Sequence, residues 1–258
     1  MKTNPWALLA AVMTLGAGAA EAATIVGLTG GDTLVAFDSE TGKPAAPVKI
    51  TGTEKLVGID VRPSDGKLYG VTAAGKVVTI DPASGAATDV VTLKTMLPAD
   101  VIATIDFNPV ADRLRLIGSD GTNLRANLAD GAVTTDGALK FADTDMHKGE
   151  TPKIIAGAYT NAVAGAKETT LFDIDGTIGG LIRQAPPNDG ILNAVGKLGV
   201  ATPVAAFDIV SDGKGGNTAY LLAGGVLHTV DLATGKATAG AKVAGLEAAS
   251  DIAVLPAQ

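Results

Sequence analysis

The feature that most limits what this chain can become is an internal repeat. One unit runs Gly58-Ile59-Asp60-Val61-Arg62-Pro63, then residues 67–71, then 77–85, then 87–93. Each piece is a short run rich in β-branched residues and bounded by Gly, Pro, Asp or Ser, which is the pattern of strands joined by tight turns. The first strand returns at 104–109, more loosely at 156–161, then at 206–210 and last at 250–254. With Asp60, Asp106, Ala158, Asp208 and Asp251 taken as equivalent, the spacings are 46, 52, 50 and 43 residues. A period of about 40 to 50 residues with four strands per unit is what a β-propeller blade requires.

The third strand of the unit has its own ending, Asp-x-x-Thr/Ser-Gly. It occurs at 38–42, 81–85 and 231–235, as a variant at Asn127 to Gly131, and in shortened form as Asp173-Ile174-Asp175-Gly176. An Asp or Asn side chain there accepts backbone amides two residues on, and Gly supplies the positive φ that closes the hairpin. The ends of the repeat array complete the picture. Residues 24–50 lack a copy of the first strand, and residues 251–255 supply that copy alone. The expected fold is therefore all-β: a propeller of five four-stranded blades, closed by the C-terminal strand. The blades are 251–255 with 24–50, then 57–93, 104–139, 155–198 and 205–243. No helix of ordinary length is expected, only a short turn of one within 93–101.

The N-terminus reads as a secretory leader. Lys2 gives the positive start, residues 6–20 carry no charge, and Ala20-Glu21-Ala22 offers small residues where a signal peptidase reads. Cleavage is expected after Ala22, leaving residues 23–258 as a single propeller domain in the periplasm or medium of a bacterium. No later segment reaches about 18 uninterrupted apolar residues, so no membrane insertion is expected once the leader is removed. The chain has no cysteine, which excludes disulfides, thiolate metal sites and a lipoprotein anchor. Its formal charge of −7 argues against nucleic acid and anionic membrane surfaces as partners. Beyond the leader only eight aromatic residues remain, and several fall inside strand patterns, which argues against sugar-stacking or base-stacking platforms.

Two groups of side chains invite chemistry. Asp60, Asp106, Asp208 and Asp251 recur on the innermost strand, where they would ring the central channel. Such a ring holds a hard cation with oxygen ligands, Ca²⁺ being suited, or acts as a set of latches onto backbone amides of the neighbouring blade, or lines a solvent-filled channel. Arg113, Arg115 and Arg125 form the second group, three of only five arginines in the chain. A hairpin turning at 118–121 puts Arg115 opposite Arg125, with Arg113 on the same face. Buried guanidiniums need partners: Asp106, Asp112, an aspartate of another blade, or an exogenous anion. The acidic loop 141–150, with His147, matches no cation-loop spacing and reads as solvated. His228 alternates with apolar neighbours and reads as a satisfied sheet histidine. Nucleophile-elbow, Walker, dinucleotide and zinc-site patterns are all missing.

Phe107-Asn108-Pro109-Val110-Ala111-Asp112-Arg113-Leu114-Arg115, Asn123-Leu124-Arg125, Asp136-Gly137, Ala158-Tyr159-Thr160-Asn161 and Pro186-Pro187-Asn188-Asp189-Gly190 occur in this order. Together they resemble the bacterial family known as domain of unknown function 4394. The resemblance implies an exported, propeller-like domain and brings no activity with it. The reading of function that follows is an exported non-catalytic binding or scaffold module, its partner an unidentified small molecule or envelope protein. The alternative is a hydrolase or lyase using carboxylates at the channel mouth.

Overall fold

The structure is a computed structural model that describes residues 22–256. The leader expected at 1–22 lies, apart from Ala22, outside the described residues. The strands fall into five sheets. The first holds β1 (Thr24–Thr29), β2 (Thr33–Asp38) and β3 (Val48–Lys49). The second holds β4 (Leu56–Val61), β5 (Leu68–Thr72), β6 (Lys76–Ile80) and β7 (Ala87–Thr92). The third holds β8 (Ala103–Asn108), β9 (Arg113–Gly118), β10 (Asn123–Ala126) and β11 (Val133–Thr135). A two-residue strand, β12 (Lys140–Phe141), then crosses to the fourth sheet and runs parallel to its outermost strand. That sheet is β13 (Ile154–Tyr159), β14 (Leu171–Asp175), β15 (Gly180–Gln184) and β16 (Ile191–Lys197). The fifth is β17 (Ala205–Ser211), β18 (Asn217–Ala223), β19 (Val226–Val230) and β20 (Ala237–Lys242).

The ring closes where the repeat demanded it. β21 (Asp251–Val254) pairs antiparallel with β1, from Ile25 opposite Val254 to Leu28 opposite Asp251, and becomes the innermost strand of the first blade. β21, β4, β8, β13 and β17 then face one another around the channel. The two faces of each blade pack on different neighbours, so its middle strands are buried on both sides. This explains why β5 and β14 are buried along their whole length, while the outermost β7 and β20 are mostly exposed. Apolar clusters fill the spaces between blades, for example Tyr69, Val71, Ile105, Leu114 and Leu116 between the second and third.

The Asp-x-x-Thr/Ser-Gly turns do more than close hairpins. In the second blade the Asp81 carboxylate accepts the Ala83 amide at 2.8 Å. Gly85, at φ 73°, then offers its carbonyl to Thr51 of the preceding blade at 2.9 Å. A Cβ on Gly85 would run into the Lys49 carbonyl. The glycine is therefore needed twice, for its φ and for blade-to-blade contact.

Two expectations need correction. Asp173-Ile174-Asp175-Gly176 is not a third-strand ending; it closes β14, the second strand of its blade. The confusion is chemical, because Asp175 accepts the Thr177 and Ile178 amides just as the repeat aspartates do in their own turns. The corresponding turn of the fourth blade is 185–190, with the 3₁₀ helix Pro187–Asp189, and Gly190 at φ 67° docks on residues 137–138. Residues 93–101 form turns and bends instead of a helix. Pro187–Asp189 is the only helical segment among the described residues.

Candidate functional site: the channel carboxylates and a polar seam

The innermost strands bring three of the four channel aspartates together. One carboxylate oxygen from each of Asp60, Asp106 and Asp208 lies within 4.8 Å of the others, and all three residues are buried. Each also reaches across a blade junction. Asp60 Oδ2 accepts the Phe107 amide at 2.7 Å, Asp106 Oδ1 the Tyr159 amide at 3.2 Å, and Asp208 Oδ2 the Val254 amide at 2.6 Å. Asp60 and Asp208 also accept the amide of the residue that follows them.

Asp251 departs from this ring. Pro63 and Pro109 each follow their aspartate by three residues, and the residue three before Pro256 is Ala253. Ala253 therefore occupies the repeat position, 45 residues after Asp208, and Asp251 sits one pleat further along the channel. Its Oδ2 accepts the Ile59 amide at 2.9 Å, pressed against Gly58, whose missing Cβ would lie only 2.8 Å from that oxygen. Asp251 is a latch of the same design in a second layer. The junction between the fourth and fifth blades has Ala158 at the repeat position. There Asn161 donates its amide to Asn217 Oδ1 at 2.7 Å and accepts the Asn217 Nδ2 at 3.0 Å.

Burial drives the carboxyls of Asp60, Asp106 and Asp251 well above the usual range, and like charge adds to it, from Asp208 on Asp60 and from Asp60 on Asp106. Burial also pushes Asp208 up to about 6, against the opposing pull of the Val254 and Ile209 amides. Three such carboxyls cannot all be ionised side by side without compensation. Shared protons are one solution and a hard cation is the other. Asp106 Oδ2 has no protein donor among the described residues, and the remaining oxygens keep a second lone pair for a cation to use.

The second group of side chains lies between the third and fourth blades. β9 and β10 place Arg115 opposite Arg125 and Leu116 opposite Leu124, as the hairpin spacing requires. Arg115 is only 2% exposed. Its Nε donates to the Tyr159 hydroxyl at 3.1 Å, Nη1 to Asn123 at 2.8 Å and to Asp136 at 2.6 Å, and Nη2 to Asn188 at 2.7 Å. Arg125 grips both oxygens of the same Asp136, at 3.0 and 3.1 Å. Burial raises the Asp136 carboxyl, but hydrogen bonds and charge from Arg125 and Arg115 outweigh it and hold it below the usual range.

Arg113 does not join this cluster. At the edge of β9 its guanidinium turns back onto the Ala111 and Asp112 carbonyls. Neither Asp106 nor Asp112 pairs with Arg115 or Arg125. Asp106 is directed at the Tyr159 amide, and Asp112 is gripped by Arg62 Nε at 2.8 Å and Nη2 at 2.5 Å. Arg62, whose guanidinium also lies 5.9 Å from the Tyr69 ring centre, was not foreseen. Its partner is 50 residues away in sequence, and no local spacing reveals it. In the acidic loop Asp145 accepts the Ala194 amide at 2.7 Å, so the loop is tied to β16, and His147 Nδ1 lies 3.1 Å from Glu150. His228 is buried, with Nδ1 2.9 Å from the Val226 carbonyl.

Five blades, a C-terminal closing strand, a ring of carboxylate latches and one arginine-centred seam define a closed five-bladed β-propeller. Its sequence places it further: the chain belongs to the family described as Domain of unknown function (DUF4394), whose profile matches residues 22–253. The segments that carry the resemblance converge on one network, since Asn123, Asp136, Tyr159 and Asn188 all bind Arg115. The fold is similar to that of a chain in the nidogen/laminin complex, at TM-score 0.55 and 11% identity over 91% of this chain and 99% of that one. It is also similar to a protein of unknown function from Bacteroides thetaiotaomicron VPI-5482, at TM-score 0.51 and 15% identity over 86% of this chain; the match spans 58% of that longer protein. A protein of unknown function from Bacteroides caccae aligns over 92% of this chain and 99% of its own at 12% identity and TM-score 0.45. At these identities the likeness is one of fold alone. No curated protein matches the sequence.

Proposed function

We propose that this protein is exported and acts as a non-catalytic binding or scaffold module, presenting crossover loops on a rigid ring. The observation that carries the reading is the placement of three of the five large apolar side chains exposed among the described residues, the other two being Val90 on β7 and Val110 in the β8–β9 turn. Ile102, Met146 and Val204 lie in the crossovers that lead from one blade to the innermost strand of the next, at 93–102, 136–153 and 198–204. Crossovers of this kind all emerge at the same end of a propeller. They therefore put apolar contacts on one face, on three successive blade junctions, where a partner with an apolar patch would bind. Arg115 and the channel aspartates, by contrast, are engaged inside the ring, although the buried carboxyl of Asp173 is not. Arg115 meets four internal acceptors, and the channel aspartates hold backbone amides.

Two experiments test this reading. N-terminal sequencing of the protein recovered from a periplasmic extract should begin at Ala23; an intact Met1 in the cytoplasmic fraction would sink the export reading. For binding, the mature protein is immobilised and exposed to envelope extract, beside a variant carrying Ile102→Asp, Met146→Asp and Val204→Asp. The expected outcome is a partner retained by the parent protein and lost by the variant, with unfolding temperature unchanged because the three sites are exposed. Equal retention by both would remove this face from consideration. Partner-independent turnover of an ester or glycoside, lost with Asp208→Asn, would instead support the hydrolase reading, whose one favourable observation is the cluster of raised channel carboxyls.

A further inference from the structure

The junction between the third and fourth blades differs from the others in what it leaves unsatisfied. Among the described residues five buried side-chain atoms lack a hydrogen-bond partner, and four of them are at this junction: both oxygens of Asp173, Thr104 Oγ1 and Gln184 Oε1. Asp173 is fully buried on β14. It stands opposite Gly157 on β13, and a Cβ on Gly157 would collide with Asp173 Oδ1 and come within 3.3 Å of the Thr104 methyl. The carboxyl is thus wedged between β13 of its own blade and β8 of the preceding one.

The groups around it are few. β9 contributes the Arg115 charge, which is already committed to four partners. β8 contributes Thr104, while its Asp106 is directed at the Tyr159 amide. β13 adds the Tyr159 phenol, bound to Arg115. β15 adds Ile182 and Gln184, neither titratable. On its own strand Asp175 is satisfied by the Lys153, Thr177 and Ile178 amides and adds like charge. A carboxylate without a donor is far costlier to bury than a neutral carboxylic acid. The latch across this junction is also the longest of the four, 3.2 Å for Asp106 to Tyr159 against 2.6 to 2.9 Å elsewhere.

We propose that this seam is a proton-controlled opening point of the ring: it is closed when Asp173 carries a proton and parts when Asp173 ionises. The direction follows from linkage. Burial pushes the closed-state carboxyl up to about 8, and in an opened seam it returns to the usual carboxylate range near 4. Between those limits the closed form binds the extra proton, so opening is favoured as pH rises, by about ten-fold per pH unit, and levels off above about 8.

Hydrogen exchange read by mass spectrometry, corrected for the intrinsic pH dependence of amide exchange, tests this on the mature protein. Between pH 5 and 7, protection in β13 and β14 should fall by roughly 100-fold, and more than in β5 or β18. Asp173→Asn keeps the shape without the proton, so it should flatten the slope at this seam and leave the slope elsewhere unchanged. A slope that survives in Asp173→Asn would assign the effect to the channel carboxyls and overturn the proposal. Should that variant fail to fold, the carboxyl carbon of Asp173 in the parent protein still decides. A chemical-shift midpoint near 8 supports the proposal, and one near 4 refutes it.

Discussion

Asp136 shows what a single residue can hold together. It is the one carboxylate shared by Arg115 and Arg125, with its side chain 5% exposed. Removing it leaves the buried Arg115 charge with only neutral acceptors, which puts Asp136→Ala among the costly changes, at about 3–5 kcal/mol. Arg125→Ala removes the more exposed partner and leaves the Arg115–Asp136 pair intact, so it should cost no more than about 1 kcal/mol. Urea unfolding of the two variants at neutral pH measures both. Equal losses would mean that Asp136 is held chiefly by Arg125 and that Arg115 is satisfied by its neutral partners. The pH dependence has a definite sign. The Asp136 carboxyl is held low in the folded state, so its contribution is present above the unfolded carboxylate range and is lost as pH falls through the folded value.

At the scale of elements, the recurring unit is the turn that docks on the preceding blade. Gly85→Ala should cost on the order of 2–5 kcal/mol, combining a positive φ with a collision against the Lys49 carbonyl. Gly179→Ala is the control. Its φ is 59° but nothing lies within 4 Å of the added carbon, so only the backbone cost of about 1 kcal/mol remains. Thermal unfolding that ranks the two equally would show that turn docking adds nothing to stability. These turns, the strand period and the closing strand were legible in the sequence because each is set by neighbours a few residues apart. Asp251 was misplaced by two positions because its acidic residue was matched where the downstream proline, Pro256, marks the register. Asp173-Ile174-Asp175-Gly176 was misassigned because the same local chemistry serves any turn. The seam was visible only as separate motifs: Arg115 finds Asn188 across 73 residues, and nothing local to either predicts that meeting.

For the whole molecule the buried aspartates set the pH at which the ring is most stable. Asp60, Asp106, Asp251, Asp208 and Asp173 all have folded-state carboxyls raised above the unfolded value. The folded protein therefore binds more protons than the unfolded chain above pH 4. Stability from these groups is complete below about pH 4 and falls as pH rises through about 6 for Asp208 and about 8 for Asp173. Asp136 works in the opposite direction at the acid end, so the unfolding temperature should peak in mildly acidic solution and decline toward pH 8. A hard cation would change the upper half of that curve. It would replace the protons shared by Asp60, Asp106 and Asp208, and would act most strongly where those protons are being lost. Unfolding of residues 23–258 at pH 8 in chelator, then with millimolar Ca²⁺, Mg²⁺ or Zn²⁺, separates the two cases. A calcium-specific rise of about 5–10 °C, the effect of a ligand at roughly 100 times its Kd, that disappears in Asp60→Asn with Asp106→Asn makes the channel a cation site. An unfolding temperature indifferent to all three ions, with its decline toward pH 8 flattened by the same substitutions, leaves protons as the channel's counter-charge and the aspartates as latches alone.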